Sequence, residues 1–301
     1  MTDTAVAMVE AEVLAVGEDS LAVLSSNVST TTDPVIADTT ATTGTVAIAA
    51  GDDLAMTEVT ALSHTDDGSG TIAATDAYSG AVASGGDTLS ASVVETVAVS
   101  TPVTDIAAGT AVSAAFVEGT GTGSGSDHAT AITESSSSSY VGDENGGGAG
   151  VDALAGGIAY GDGSVSVSSA ETYAAGTGTS AVAIGTAQST ASGSSGETTD
   201  AFIDLSGDGT ISQSTSFDSP WISTDIATGV AVTGLNYTSD VTIVSDVDVN
   251  VASEVAVSGN VAELAADATA VGDETLVEVD ATVLTTDTLS SVEVSMIAAV
   301  D

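Results

Sequence analysis

The feature that most constrains the fold is an alternation of apolar and polar residues with a period of two. Along 241–261, valine and isoleucine take most of the alternate positions, and aspartate, glutamate, asparagine, serine and threonine lie between them. The same alternation recurs along 277–283, 292–296 and 93–99. Successive side chains of a strand point to opposite faces, so the pattern predicts half-buried β-strands. Residues 4–16 contain enough alanine for a helix, but Glu10 and Glu12 alternate as in a strand, and we interpret this segment as a strand too.

A short Val-Ala-Ile/Val motif supports the same interpretation. It begins at residues 46, 97, 182, 230 and 255, and these spacings share no fixed period, so it is not a regular solenoid repeat. Each copy is interpreted as a strand with a small side chain pointing inward. The predicted class is all-β: a β-sandwich or solenoid-like strands with long Gly/Ser/Asp-rich loops.

Glycine and serine are concentrated between residues 119 and 150, which is typical of a flexible linker or a long surface loop. The sequence therefore predicts a β-rich lobe over 1–118, a linker over 119–150 and a second β-rich lobe over 151–301. The competing interpretation is a long hairpin insertion within one β-domain.

Charge excludes whole classes of function. The 301 residues include 43 Asp and Glu and no Lys or Arg, which gives a formal net charge of −43 with two histidines neutral. Nucleic-acid binding needs cations to displace phosphate counterions. P-loop chemistry, Schiff-base catalysis and arginine fingers also need Lys or Arg. Cysteine is absent, which excludes disulfides, thiolate nucleophiles and cysteine-based zinc sites.

The apolar fraction indicates a folded chain with an unusual core. A mean hydropathy of +0.36 argues against disorder, but the 43 % of hydrophobic residues are mostly alanine and valine and only 3 % of residues are aromatic. A core of small side chains buries little area per residue. We therefore expect order to depend on repeated backbone hydrogen bonds, a bound ion or a neighbouring subunit. No apolar run is long enough for a transmembrane helix, and no basic segment opens a secretory signal peptide.

Two segments have the pattern of calcium-binding loops. The first is 147–155, Gly-Gly-Ala-Gly-Val-Asp-Ala-Leu-Ala, which fits the nonapeptide G-G-x-G-x-D-x-U-x. It resembles one turn of the parallel β-roll of RTX proteins, and the resemblance implies that Asp152 and the turn backbone hold Ca²⁺. The next six residues keep the double glycine but lack the aspartate, so an ordinary glycine-rich loop is the alternative.

The second segment, 204–211, resembles the start of an EF-hand or dockerin-type loop. Its oxygen ligands would be Asp204, Ser206, Asp208 and Thr210. Position twelve is Thr215 where a bidentate Glu is expected, and Asp-Gly is also a common hairpin turn, so a hairpin is the alternative. The Asp-Gly pairs at 67–68 and 162–163 are predicted to be hairpin turns.

No residue pattern predicts an enzyme. A Ser/His/Asp site would need His64 or His128 as its base, and both are interpreted as solvated loop residues. A glycosidase could use two carboxylates, but sugar-binding sites normally need aromatic side chains, and Trp221 is the only tryptophan. A secreted hydrolase is therefore the least favoured function.

In composition the whole chain resembles RTX-type secreted and surface-layer proteins, and its last ten residues loosely resemble type I secretion signals. The resemblance implies calcium-dependent folding after export to the cell surface or the extracellular space. We expect a structural protein that associates with copies of itself in a surface layer, filament or biofilm matrix, with divalent cations bridging its carboxylates. An adhesin or an ice- or glycan-binding β module is the alternative. Halophilic adaptation, in which acidic residues hold hydrated salt, is a weaker alternative to calcium.

Overall fold

The structure, a computed structural model, describes most of the chain. The described residues are 4–17, 19–33, 36–50, 54–66, 71–85, 87–101, 103–118, 130–143, 149–160, 163–177, 180–193, 198–204, 209–219, 222–233, 260–272 and 274–300. Most of the alternating segment 241–261 lies outside them.

The described residues form twenty strands and no helix, which confirms the predicted all-β class. The strands are β1 (Thr4–Val16), β2 (Asp19–Asp33), β3 (Ile36–Ala50), β4 (Leu54–Asp66), β5 (Thr71–Ser79), β6 (Val82–Ser84), β7 (Asp87–Ser100), β8 (Asp105–Glu118), β9 (Thr130–Ile132), β10 (Ser135–Asp143), β11 (Val151–Ala155), β12 (Ala159–Tyr160), β13 (Val165–Thr177), β14 (Ser180–Ser192), β15 (Ala201–Asp204), β16 (Gly209–Ser219), β17 (Ile222–Thr233), β18 (Val261–Val271), β19 (Thr275–Thr286) and β20 (Leu289–Val300).

The strands form two sheets that pack face to face as a sandwich. Sheet A begins with the strands β19, β20, β1 and β4, in that order. Beyond β4, each of the next three positions is occupied by two short strands end to end: β5 and β6, then β10 and β9, then β11 and β12. Strand β15 pairs with β11 and ends the sheet. Sheet B runs β18–β2–β3–β7–β8–β13–β14–β17–β16. Every neighbouring pair is antiparallel except β18 and β2, which are parallel.

Hairpins are added alternately to the two sheets. The hairpins β2–β3, β7–β8 and β13–β14 belong to sheet B, and β4–β5 and β10–β11 belong to sheet A. The last strands return to the starting end, where β18 pairs with β2 and β20 pairs with β1. Sheet B continues across the proposed lobe boundary because β8 pairs with β13, and β9 and β10 of sheet A lie within the segment 119–150.

Alternation along the strands places small residues in the interior. The middle alanines of the Val-Ala-Ile/Val motifs at 46, 97, 182 and 230 are all buried, as predicted: Ala47, Ala98, Ala183 and Ala231. The copy at 255 is not among the described residues. The other buried apolar residues are mostly alanine, and the buried polar residues are serine and threonine apart from Asp105. Asp105 accepts a hydrogen bond from the Ser100 hydroxyl at 2.6 Å.

The small interior allows the two sheets to hydrogen-bond to each other through side chains. Hydroxyl groups meet across the interior at 3.0 Å between Ser63 Oγ and Thr96 Oγ1 and at 2.7 Å between Thr57 Oγ1 and Ser92 Oγ. Others reach backbone: Ser79 Oγ of sheet A donates to the Val112 carbonyl of sheet B at 2.7 Å. A hydroxyl can bridge to the opposite backbone only where no large side chain separates the layers. The interior is therefore held by polar contacts as well as by apolar burial.

One row of serines aligns with the interruptions in sheet A. Four serines are cross-strand neighbours on the inner face of sheet B: Ser92, Ser113, Ser168 and Ser189. They donate to the carbonyls of Gly80, Glu134 and Gly156, which lie where the paired rows of sheet A are broken. The serines thus add hydrogen bonds to carbonyl groups at these breaks, where the Glu134 carbonyl also accepts from the Gly80 N–H at 3.0 Å.

Many of the larger apolar side chains point outward instead, although Leu24 and Met296 are fully buried. Leu21, Ile48, Leu89, Phe116 and Val165 form one cross-strand row on the outer face of sheet B. Their neighbours along each strand are buried, so parity places this row on the other face, where Ile48 is 7 % exposed and the other four are partly buried. The sandwich therefore has small residues inside and many of its large residues outside.

The hairpin turn predicted at 162–163 is wrong, and so is the hairpin alternative for 204–211. The strands on either side of 162–163, β12 and β13, lie in different sheets, and so do β15 and β16 on either side of 208–209. Both Asp-Gly pairs therefore belong to crossings between the sheets. The described glycine of the first crossing, Gly163, has a φ of 67°, a conformation that glycine adopts without strain. The pair at 67–68 lies outside the described residues, between β4 and β5, which pair antiparallel.

Candidate assembly interface

The edge strand β19 is the most exposed element of the described chain. All twelve of its residues are exposed, and it pairs only with β20 among the described strands. Its other edge therefore presents backbone N–H and C=O groups that no described strand pairs. Long edge strands of this kind are templates for pairing with another chain.

The inner face of β19 extends the apolar face of the core to residues that no described part of the chain buries. Val279 lies opposite Met296 and Val283 lies opposite Val292, and both partners on β20 are fully buried. Val279 and Val283 themselves are 47 % and 49 % exposed. On β19 the side chains of the inner face are thus exposed to solvent, whereas their neighbours on β20 are buried.

Strand β18 forms the other half of the same open end. It pairs with β2 on one side and with no described strand on the other. On its inner face Leu264 and Ala268 are partly buried and pack against the main core cluster, whereas Ala266 is exposed. Within the described part of the chain, residues 260–300 therefore leave one end of the sandwich open, with accessible apolar residues between two strand edges.

The opposite end of the sandwich also finishes in edge strands, β15 in sheet A and β16 in sheet B. Seven antiparallel pairings separate β19 from β15, and seven separate β18 from β16. Each antiparallel pairing reverses the strand direction, and seven is odd, so the two edge strands of each sheet run in opposite directions. A second copy shifted along the sheets without rotation would therefore meet both edges in antiparallel orientation.

A row of carboxylates crosses the outer face of sheet A. Glu12 lies directly opposite Glu293 on one side and Glu58 on the other, and all three are exposed. The row continues over the interruptions, where a Cβ at Gly80 would lie 3.4 Å from Glu134 Cβ and one at Gly156 would lie 3.2 Å from Asp200 Cβ. Like charges directly opposite each other destabilise a sheet, and this chain has no Lys or Arg to pair with them.

Tyr78 lies in the adjacent row, opposite Thr60 and Ser136, and its hydroxyl would lie 3.7 Å from a Cβ at Gly80 of the carboxylate row. Burial raises the pKa of its hydroxyl, and the nearby carboxylates of Glu58 and Glu134 raise that pKa further, because a phenolate would be a third negative charge. The tyrosine is thus held in its neutral form between two acids.

A second row contains two of the predicted calcium ligands. In register order it runs from Glu278 on β19 through Asp76 and Ser138 to Asp152 and Asp204 on β15. Asp152 and Asp204 are thus direct cross-strand neighbours, although the sequence assigned them to separate calcium loops. Desolvation raises the pKa of the Asp76 carboxyl, and a backbone hydrogen bond from Ala77 opposes this only in part.

The other residues of the two predicted calcium loops are less informative. Thr210 lies on β16 in sheet B, in the sheet opposite Asp204, and Ser206 and Asp208 lie outside the described residues. Strand β11, which contains Asp152, pairs antiparallel with both neighbours, whereas the RTX resemblance implies parallel strands. Within the described ranges, no group of three or more histidine or acidic side chains is arranged to hold a metal ion.

The interpretation of His64 as a loop residue is wrong. It lies in β4, on the outer face of sheet A, with Val6 and Ala74 as cross-strand neighbours. No base or nucleophile of a catalytic site accompanies it in these pairings. His128 and Trp221 lie outside the described residues.

The comparisons with known proteins found no matching family model, no matching curated protein and no matching solved structure. The part of the chain that is described contains no helix with the length and hydropathy of a membrane span.

Sequence reasoning missed the open end of the sandwich and the carboxylate rows. Both depend on which strands are neighbours, and an alternating pattern gives the face of a residue but not its partner strand. A signal for β19 was nevertheless present: along 275–286 both alternating sets contain large apolar residues, which is unusual for a strand with one solvated face.

Proposed function

We propose that the protein is a structural subunit that polymerises head to tail, joining β18 and β19 of one copy to β16 and β15 of the next. The observation that carries this proposal is the open end, where Val279 and Val283 extend the core face into solvent beside edges that no described strand pairs. Because the edges at the two ends have opposite directions, the joint continues both sheets as antiparallel ladders. Contact between different surfaces generates an open polymer rather than a closed dimer.

Divalent cations are part of the same proposal. If the rows of sheet A continue in register across the joint, Glu278 of one copy faces the position of Asp204 in the next. Carboxylates that meet in this way repel unless a cation lies between them, and neither copy contains Lys or Arg. Calcium, which is abundant outside cells, would therefore act between subunits rather than in a closed site within one. We therefore propose that assembly takes place at the cell surface or in the extracellular space.

The test is polymerisation of the purified full-length chain with Ca²⁺, Mg²⁺ or EDTA, followed by sedimentation and electron microscopy. We expect polymers with Ca²⁺ and their disassembly by EDTA. Val279→Asp, which places a charge on the exposed core face, should abolish polymers. Ile184→Asp, a similar change at a residue 42 % exposed on the outer face of sheet B, should leave them intact.

Three results would contradict the proposal: monomers in every cation, dimers that grow no further, or polymers formed equally well by the Val279→Asp variant. Polymers indifferent to EDTA would retain the joint and remove calcium from it.

A binding module is the second candidate, and one row of the outer face of sheet B favours it. Threonines and glutamates alternate across that row: Thr42, Glu95, Thr110, Glu171 and Thr186. A flat array of hydroxyl and carboxylate groups suits a glycan or ice surface. Monomers in all cations that bind immobilised glycans or shape ice crystals would favour this candidate.

A further inference from the structure

Beyond the joint itself, we infer that the proposed polymers pair side by side through an apolar band on the outer face of sheet B. The band consists of three cross-strand rows on β2, β3, β7, β8 and β13. The first row is Leu21, Ile48, Leu89, Phe116 and Val165, and the rows beside it run from Val23 to Val167 and from Ser25 to Ser169. None of these fifteen positions is Asp or Glu. This inference rests on the proposed head-to-tail assembly.

The band is too small to hold two single copies together. Strands about 4.8 Å apart and rows about 6.8 Å apart give five strands by three rows an area of about 480 Å². A stable interface of standard size buries about 800 Å² on each partner. A lone copy is therefore expected to remain unpaired at this face.

Polymerisation removes the limit set by the small area of one band. The rows of the band run across the strands, and head-to-tail joining extends the sheets in the same direction. Each added copy places its band next in line, so the bands align as a stripe along the polymer. Many weak contacts on two stripes then act together, and the second and later contacts form at high effective concentration.

The charges beside the band favour a second stripe as its occupant. Asp19 and Asp87 lie in the row beyond Leu21, and Glu95 and Glu171 lie in the row beyond Val93. The middle row is about 13 Å from either acidic row, further than the Debye length of about 8 Å at physiological ionic strength. Two uncharged stripes can therefore meet while carboxylates remain hydrated at both margins, where divalent cations are available to them.

The test compares polymers of the full-length chain and two variants in Ca²⁺ by electron microscopy and by mass per unit length. Val93 is the substitution site because it is 49 % exposed at the centre of β7, so Val93→Asp adds charge to the band without disturbing the interior. Ile184→Asp on β14 is the matched control on the same face outside the band. We expect paired polymers for the natural chain and for Ile184→Asp, and single polymers of half the mass per length for Val93→Asp.

Each other outcome overturns the inference. Unpaired polymers of the natural chain, or paired polymers of Val93→Asp, would refute lateral pairing while leaving head-to-tail assembly in place. Absence of polymers in all three proteins would refute the proposed function and this inference with it. Calcium-free monomers that float with uncharged phosphatidylcholine vesicles, and lose that binding in Val93→Asp, would identify an apolar lipid surface as the occupant instead.

Discussion

The close approach of the two sheets makes a sharp prediction at Gly109. This residue lies in β8 at the centre of the sandwich, and a Cβ there would lie 2.7 Å from Ser137 Oγ and 2.8 Å from Thr75 Oγ1. Real carbon–oxygen contacts are longer, so Gly109→Ala must push hydroxyls or sheets apart. Overpacking of a well-packed interior costs about 1–3 kcal/mol. We expect Gly109→Ala to lower the free energy of unfolding although it adds only one methyl group.

Gly44→Ala is the matched control. Gly44 also lies in a strand of sheet B, but a Cβ there would meet only Val93 Cγ2, at 4.0 Å on the outer face. Both substitutions restrict the unfolded chain equally, which alone stabilises by about 0.4–1 kcal/mol. The difference between the two variants therefore isolates the overpacking cost, about 1–3 kcal/mol. Urea unfolding in EDTA measures it on the unassembled chain.

A double-variant cycle tests the cause. Ser137→Ala removes the oxygen nearest to the added methyl group. It also has a cost of its own, because it removes the 2.7 Å hydrogen bond between Ser137 and Thr172. In combination with Gly109→Ala the two costs should be less than additive by about 0.5–3 kcal/mol, because the residues are in contact. Equal stability of Gly109→Ala and Gly44→Ala, or strict additivity in the cycle, would refute the tight spacing of the sheets.

Three further measurements test the polar interior and the surface charge. Desolvation raises the pKa of Asp76 above its usual 3.8, so the folded chain binds that proton more readily than the unfolded chain. The free energy of unfolding should therefore rise as the pH falls through the native pKa. Asp76→Asn should be more stable at neutral pH, and its free energy of unfolding should depend less on pH. Ser92→Ala leaves buried partners unsatisfied and should cost about 1–3 kcal/mol in urea unfolding, whereas the exposed Ser25→Ala should change little. Glu12→Gln removes a charge that faces two other glutamates, so it should stabilise the fold by about 0.2–1 kcal/mol and make the melting temperature less dependent on salt. Glu171→Gln should have neither effect, because Glu171 faces two threonines.

Local alternation was sufficient to predict several of the strands. Residues 93–99, 277–283 and 292–296 all lie in strands, and so do residues 4–16, where alanine content alone would have allowed a helix. The buried alanines of the Val-Ala-Ile/Val motifs were predictable for the same reason, because the face of a residue follows from its parity along the strand. The small interior also agrees with the composition, in which alanine, serine and threonine must fill space that large side chains usually occupy.

Strand partnership was not predictable, and the site depended on it. Asp-Gly is compatible with a hairpin, yet the chain changes sheets between β12 and β13 and again between β15 and β16, because the partners of β13 and β16 lie in the other layer. Asp152 and Asp204 were assigned to two loops 52 residues apart, and pairing of β11 with β15 makes them neighbours. No local pattern contains that information, because it arises from the order in which hairpins are added to each sheet.

The same arrangement connects the interior with the proposed assembly. Serine and threonine link the sheets closely, so few side chains as large as Leu24 and Met296 lie between them, and alternation places many of the other large apolar side chains on the outer faces. A sandwich built in this way gains little from burying its own leucines and phenylalanines, so much of its apolar surface is left to be covered by other molecules. Net charge of −43 opposes that association until cations neutralise it. Cation concentration, rather than the affinity of any one contact, should therefore decide when these chains associate.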